Sequence, residues 1–103
     1  MAQFDVCRNL GQRRDGFPYL VVVQSGEFDR SVRRLVVPLI EVTGHPVLTP
    51  IFTIEGRQVV ADALLMFSLP REKLGPVVAS LADDQAATAI IASIDQVISR
   101  AYG

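Results

Sequence analysis

The stretch DQAATAIIASIDQVISRA, residues 84–101, decides the architecture. Its apolar residues Ala87, Ile90, Ile91, Ile94, Val97, Ile98 and Ala101 recur at steps of three and four. That spacing gathers them on one stripe of a helix. Asp83 stands before it as an N-cap, where a carboxylate accepts backbone N–H bonds at the positive end of the helix dipole. Arg100 falls in the last turn, where a cation is favoured. No Pro or Gly interrupts the run, and Gly103 closes the chain. Everything upstream reads as strand and turn. The expectation is a curved β-sheet covered by this one helix, with the helix tail left to act.

Moving back from the helix, residues 71–78 contain Gly75 and Pro76 and should hold at most one brief strand. Residues 63–69 (ALLMFSL) fit helix or strand by periodicity, and shortness with Pro70 at the end favours strand. Residues 51–54 (IFTI) and 58–61 flank Glu55-Gly56, the pattern of a hairpin. Residues 41–50 form a loop carrying Gly44, Pro46 and Pro50. Residues 34–37 are apolar on both faces, and Pro38 should weaken pairing beyond them. Residues 19–24 (YLVVVQ) read as a central strand packed on both sides. Residues 25–30 (SGEFDR) are a turn with an oddly placed Phe28, and residues 9–16 are a polar loop. Residues 3–8 alternate, with Phe4 and Val6 opposite Gln3, Asp5 and Cys7, as a strand with one buried face. About six strands with hairpin-length connections favour an antiparallel, partly closed barrel over a βαβ fold. The fold class is therefore mainly β, in one domain spanning residues 1–103.

Composition narrows the function. Half the residues are hydrophobic and mean hydropathy is +0.32. So small a domain cannot hide that much apolar surface in its own core, which predicts self-association. A net charge of −1 provides no basic field for nucleic acid. No segment reaches the length and apolarity of a membrane span, and the N-terminus lacks a signal-peptide pattern. One cysteine excludes an internal disulfide and suits a reducing cytoplasm.

Catalytic groups are scarce. His45, the only histidine, sits in a loop and has no Cys or second His to share a metal. Cys7 reads as a small apolar filler of a half-buried strand. Asp83 and Asp84 are explained by helix capping. The Ser25 hydroxyl is better placed to bond a turn backbone than to attack a carbonyl. Arg13-Arg14 and Arg33-Arg34 read as a solvated rim, or as sites for carboxylates of an acidic partner peptide. No cofactor is implied. These residues point to a protein whose work is contact with other proteins.

Several segments carry a resemblance. Gln3-Phe4-Asp5-Val6 begins it, and Leu20-Val21-Val22-Val23-Gln24-Ser25 is its sharpest part. Arg33-Arg34-Leu35-Val36-Val37-Pro38-Leu39, Pro50-Ile51-Phe52-Thr53-Ile54 and Ile90-Ile91-Ala92-Ser93-Ile94-Asp95 follow in register. Together they resemble the CcdB family, the toxins of bacterial toxin–antitoxin modules, nearly end to end. The resemblance implies a homodimer of SH3-like barrels, each with a C-terminal helix. It implies binding to the A subunit of DNA gyrase and trapping of the gyrase–DNA cleavage complex. It also implies a CcdA-like antitoxin whose disordered segment wraps the dimer, and operator binding only together with that antitoxin.

Carried over residue by residue, the gyrase-facing positions are Gln3, Phe4 and Cys7, then Ser25, Glu27 and Phe28, then Asp95, Ile98 and the tail Ser99, Arg100, Ala101 and Tyr102. Arg13 and Arg14 are the expected antitoxin contacts. Phe28 is either an interface anchor or a ring tucked under its own loop. The family ends in Trp or Thr, then Gly, then Ile. Ser99, Arg100 and Ala101 stand there instead, and Tyr102 is the candidate replacement plug. Two alternatives share the fold. One is a MazF-like endoribonuclease, for which Arg13, Arg14 and His45 are the available parts. The other is a non-toxic homologue that keeps the dimer and antitoxin binding.

Overall fold

The computed structural model describes residues 1–11, 16–42 and 50–99. Among these residues seven strands form one antiparallel sheet: β1 Asp5–Asn9, β2 Tyr19–Val22, β3 Arg33–Glu41, β4 Ile51–Ile54, β5 Arg57–Ala61, β6 Phe67–Pro70 and β7 Leu74–Ser80. Their order is β4-β5-β3-β2-β1-β7, with β6 also pairing β3. The helix α1, Asp84–Ile98, follows the last strand, and Ser99 caps its end. The result is the expected mainly-β class: a curled antiparallel half-barrel with a C-terminal helix.

The centre follows from its side chains. Every residue of β2 is buried, as its two-sided apolarity predicts. Alternation sends Tyr19, Val21 and Val23 into a larger core with Val6, Val37, Leu39, Ile54, Val59, Ala86 and Ile90. It sends Leu20 and Val22 to the opposite face, with Cys7, Val36, Leu69 and Leu74. Thus β1 is also buried on both faces, through Val6 and Cys7, rather than on one.

Pro38 does not break β3. It is buried and lies opposite Leu20 in mid-strand. Val23 N donates to Leu35 O at 3.0 Å, so alternate pairs along β2 and β3 exchange hydrogen bonds and Leu20/Pro38 is a non-bonded pair. The missing donor therefore falls on the other edge, where β3 changes partner from β6 (residues 33–36) to β5 (residues 39–41). There the chain turns through the short 3₁₀ segment Ala63–Leu65, and Asp62 N donates to Pro38 O at 3.1 Å. The ALLMFSL stretch is accordingly a 3₁₀ turn followed by β6, not one strand.

Residues 71–80 also differ from the expectation. After a 3₁₀ turn, Arg71–Lys73, β7 runs seven residues through Gly75 and Pro76. It pairs β1 with two register shifts, and these bulges accommodate a proline in an edge strand. Gly75 is required there: a Cβ would lie 2.8 Å from Arg8 O.

In α1, Asp83 Oδ2 accepts from Ala86 N at 3.0 Å, the predicted cap. The predicted stripe is only half used. Of its members, Ile90 is buried and Ile94 packs against the larger core, while Ile91, Val97 and Ile98 are exposed; Ala86, outside the predicted stripe, is buried as well. The helix stops at Ile98, so its last turn carries no cation. Among the described residues, no helix is long and apolar enough to cross a membrane.

Candidate interaction surface

Phe4 enters β1 with φ 68°, a left-handed backbone that bulky residues avoid. The surroundings hold it there. Phe4 N donates to Val22 O at 2.6 Å, and Leu81 N donates to Phe4 O at 2.8 Å. Ala2 N donates to the Asp5 carboxylate at 2.8 Å, closing the turn. Gln3 Nε2 donates to Val23 O at 3.1 Å. These bonds place Gln3 and Phe4 on one wall of a shallow groove of about 430 Å³. Helix residues Ala87, Ile91 and Asp95 form the other wall. Three predicted site residues, Gln3, Phe4 and Asp95, therefore come together. Outlier backbone of this kind is concentrated at binding sites, because it persists only where neighbours over-determine it.

Two residues past Val23, Ser25 opens a 3₁₀ turn, Gly26–Phe28. Its Oγ accepts from Glu27 N at 3.2 Å, the turn-capping role expected for it. Phe28 is 60 % exposed, which excludes a ring tucked under its loop. Val32, further along, is 69 % exposed. At the helix end Ile98 is exposed as well, and Ser99 is extended.

Cys7 is a correction. It is fully buried in the smaller core and has no surface to offer a partner. Burial first, and Asp5 second, raise its thiol above the ordinary value of 9.0, so it stays protonated and unreactive. Arg13, Arg14, His45, Arg100, Ala101 and Tyr102 lie outside the described residues. Among the described residues, no three His, Cys, Asp or Glu side chains are grouped as metal ligands.

One cluster escaped the sequence reading. Glu55, at the tip of the β4–β5 hairpin, accepts from Arg8 Nη2 at 2.6 Å and from Tyr19 OH at 2.8 Å. Arg57 lies 5.6 Å from the Tyr19 ring centroid and donates to Glu41 at 2.6 Å. Arg8 and then Tyr19 hold the Glu55 carboxyl below its ordinary range. A carboxylate so stabilised is a weak base, and the cluster reads as a strap tying the hairpin to β1 and β2. Its sequence signal was a Glu before Gly56, where Asn or Asp is usual.

Comparison with known proteins follows the same lines. No curated protein matches the chain. Among solved structures, an endoribonuclease in complex with its cognate antitoxin, from a mycobacterial species, superposes with TM-score 0.69 at 16 % identity, covering 93 % of this chain and 92 % of that one. A second mycobacterial endoribonuclease gives TM-score 0.67 at 13 % identity, covering 93 % and 88 %. At such identities the likeness is one of fold. The family model for CcdB protein matches residues 3–99. With nearly the whole chain matched in sequence, and a curled antiparallel half-barrel ending in a helix, the chain belongs to the CcdB family, the toxins of bacterial toxin–antitoxin modules.

Proposed function

We propose that this toxin acts by binding, with the A subunit of DNA gyrase as its target, and that it traps the gyrase–DNA cleavage complex. The binding surface is the groove of Gln3, Phe4 and Asp95, the turn of Ser25, Glu27 and Phe28, and the end of α1 at Ile98. The observation that carries this reading is Phe28, an aromatic ring 60 % exposed on a capped, polar turn. In the monomer such a ring is unfavourably solvated, whereas in an interface it is an anchor. The toxin acts as a homodimer, supported by exposed apolar side chains such as Leu64 and Ile98. A CcdA-like antitoxin neutralises it, with Arg13 and Arg14 as contacts, and the complex represses its own operon at the operator.

Cleavage of RNA is the competing chemistry, because the superposed structures are endoribonucleases. Against it, the one acid–base cluster among the described residues ends in a depressed, doubly bonded Glu55. Loss of full-length RNA on incubation with the purified protein would establish the competing reading.

The test is a cleavage assay with gyrase, ATP and supercoiled plasmid. Intact protein should yield linear DNA. A form truncated after Ile98 should not, because the tail from Ser99 to Gly103 then no longer reaches the complex. Unchanged supercoiling and no linear product with intact protein would reject gyrase as the target.

A further inference from the structure

The loop from Ser25 to Arg33 carries Phe28 and Val32, yet no residue from 25 to 33 is buried. A loop with no core of its own is ordinarily loose. Here two side chains just outside it take up its carbonyl groups. Gln24 Nε2 donates to Phe28 O at 3.0 Å and to Arg33 O at 3.2 Å. The Gln24 Oε1 accepts from Leu35 N at 2.9 Å, which fixes the amide to β3. Arg34 donates through Nη2 to Asp29 O at 2.9 Å and through Nη1 to Ser31 O and Arg33 O.

Arg34 is the stranger of the two. It is only 6 % exposed, and no carboxylate pairs with it among the described residues. Its Nε is buried without a hydrogen-bond partner. A buried guanidinium is kept where its planar fork does something a point charge cannot. Here the fork spans three carbonyl oxygens of one loop.

We propose that Gln24 and Arg34 are positioning residues that hold loop 25–33 as a preformed recognition platform, with Phe28 and Val32 as its apolar anchors. The matching partner is a folded protein surface with an apolar pocket wide enough for a phenyl ring. Glu27, Asp29, Arg30 and Arg33, all exposed, supply a polar rim of both signs. Ordering the loop before the encounter removes an entropy cost from binding. The platform rests on the reading that this face engages gyrase, but the ordering of the loop does not.

The experiment compares wild type with Gln24→Ala, Arg34→Lys, Phe28→Ala and the double variant Gln24→Ala/Phe28→Ala. Native-state hydrogen exchange is read at the amides of Phe28, Asp29, Ser31 and Arg33, with Val21 and Val37 as sheet controls. Affinity is read against the A-subunit fragment of gyrase. Gln24→Ala and Arg34→Lys should speed loop exchange about tenfold or more while the sheet controls stay unchanged. Gln24→Ala should weaken binding about tenfold, and the double variant should bind no worse than Phe28→Ala, because both losses run through one anchor. If Arg34→Lys fails to fold, Gln24→Ala, whose side chain is only partly buried, decides alone. Unchanged loop exchange in the folded variants would overturn the proposal, and so would a loosened loop that binds like wild type. A wild type that does not bind the fragment overturns the gyrase reading instead, and exchange then decides the ordering role.

Discussion

Glu55 shows what one residue does in this molecule. It takes φ 51°, and Gly56 follows at φ 77°. This pair of left-handed residues is the tight hairpin turn whose twist matches the flanking strands. Glu is a costly choice for such a backbone, and the bonds to Arg8 and Tyr19 offset it. The sign of its pH dependence follows. A carboxyl lowered by folding stabilises the protein above its unfolded value and loses that contribution as pH falls through the folded value. The melting temperature of wild type should thus exceed that of Glu55→Gln at neutral pH, and the gap should close as pH drops below 4.5, the ordinary value. A gap that persists in acid would refute the ion-pair origin. At this scale the sequence was informative about Ser25 and Asp83, whose capping depends on near neighbours. It was silent on the left-handed Phe4, whose backbone is dictated by bonds to Val22 and Leu81, far along the chain.

Elements were legible where periodicity is local. The hairpin β4–β5, the strand β2 and the helix α1 stand close to where their patterns place them. Pro38 and Gly75-Pro76 misled because their meaning is tertiary. Pro38 lies where β3 exchanges β6 for β5, and Gly75 lies where β7 presses on Arg8. Gly75→Ala should therefore push β7 off β1 and destabilise by about 1–3 kcal/mol in chemical denaturation. A neutral substitution would show that the contact yields. Along α1, the stripe predicts equal importance for Ile90 and Ile98, but the structure separates them. Ile90 is 1 % exposed and Ile98 is 67 % exposed. Ile90→Ala should cost about 2–5 kcal/mol. Ile98→Ala should lie within about 0.5 kcal/mol when the monomer alone is probed. Equal effects would mean that the free half of the helix is not free.

For the whole molecule, the mainly-β class and the terminal helix followed from the number of short apolar runs and the absence of helices between them. The two-faced core was visible only in part. Residues 34–37 read as apolar on both faces, but Cys7 fell on the open face of a one-sided strand, and only the curl of the sheet places Leu69 and Leu74 in one cluster with it. The apolar excess does have a location, in Phe28, Val32, Leu64, Val97 and Ile98. If that surface closes in a homodimer, light scattering should give twice the 11.3 kDa chain mass at micromolar concentration. A mass of one chain would oppose dimerisation. The central claim is that an exposed ring on a braced turn is what engages the target. The most direct measurement is a calorimetric titration of gyrase A subunit with wild type and with Phe28→Ala. The account predicts saturable binding by wild type and a loss of about 1.4 kcal/mol or more, tenfold in Kd, for the variant at unchanged melting temperature. Wild-type affinity in the Phe28→Ala protein, or no heat from wild type at all, would contradict it.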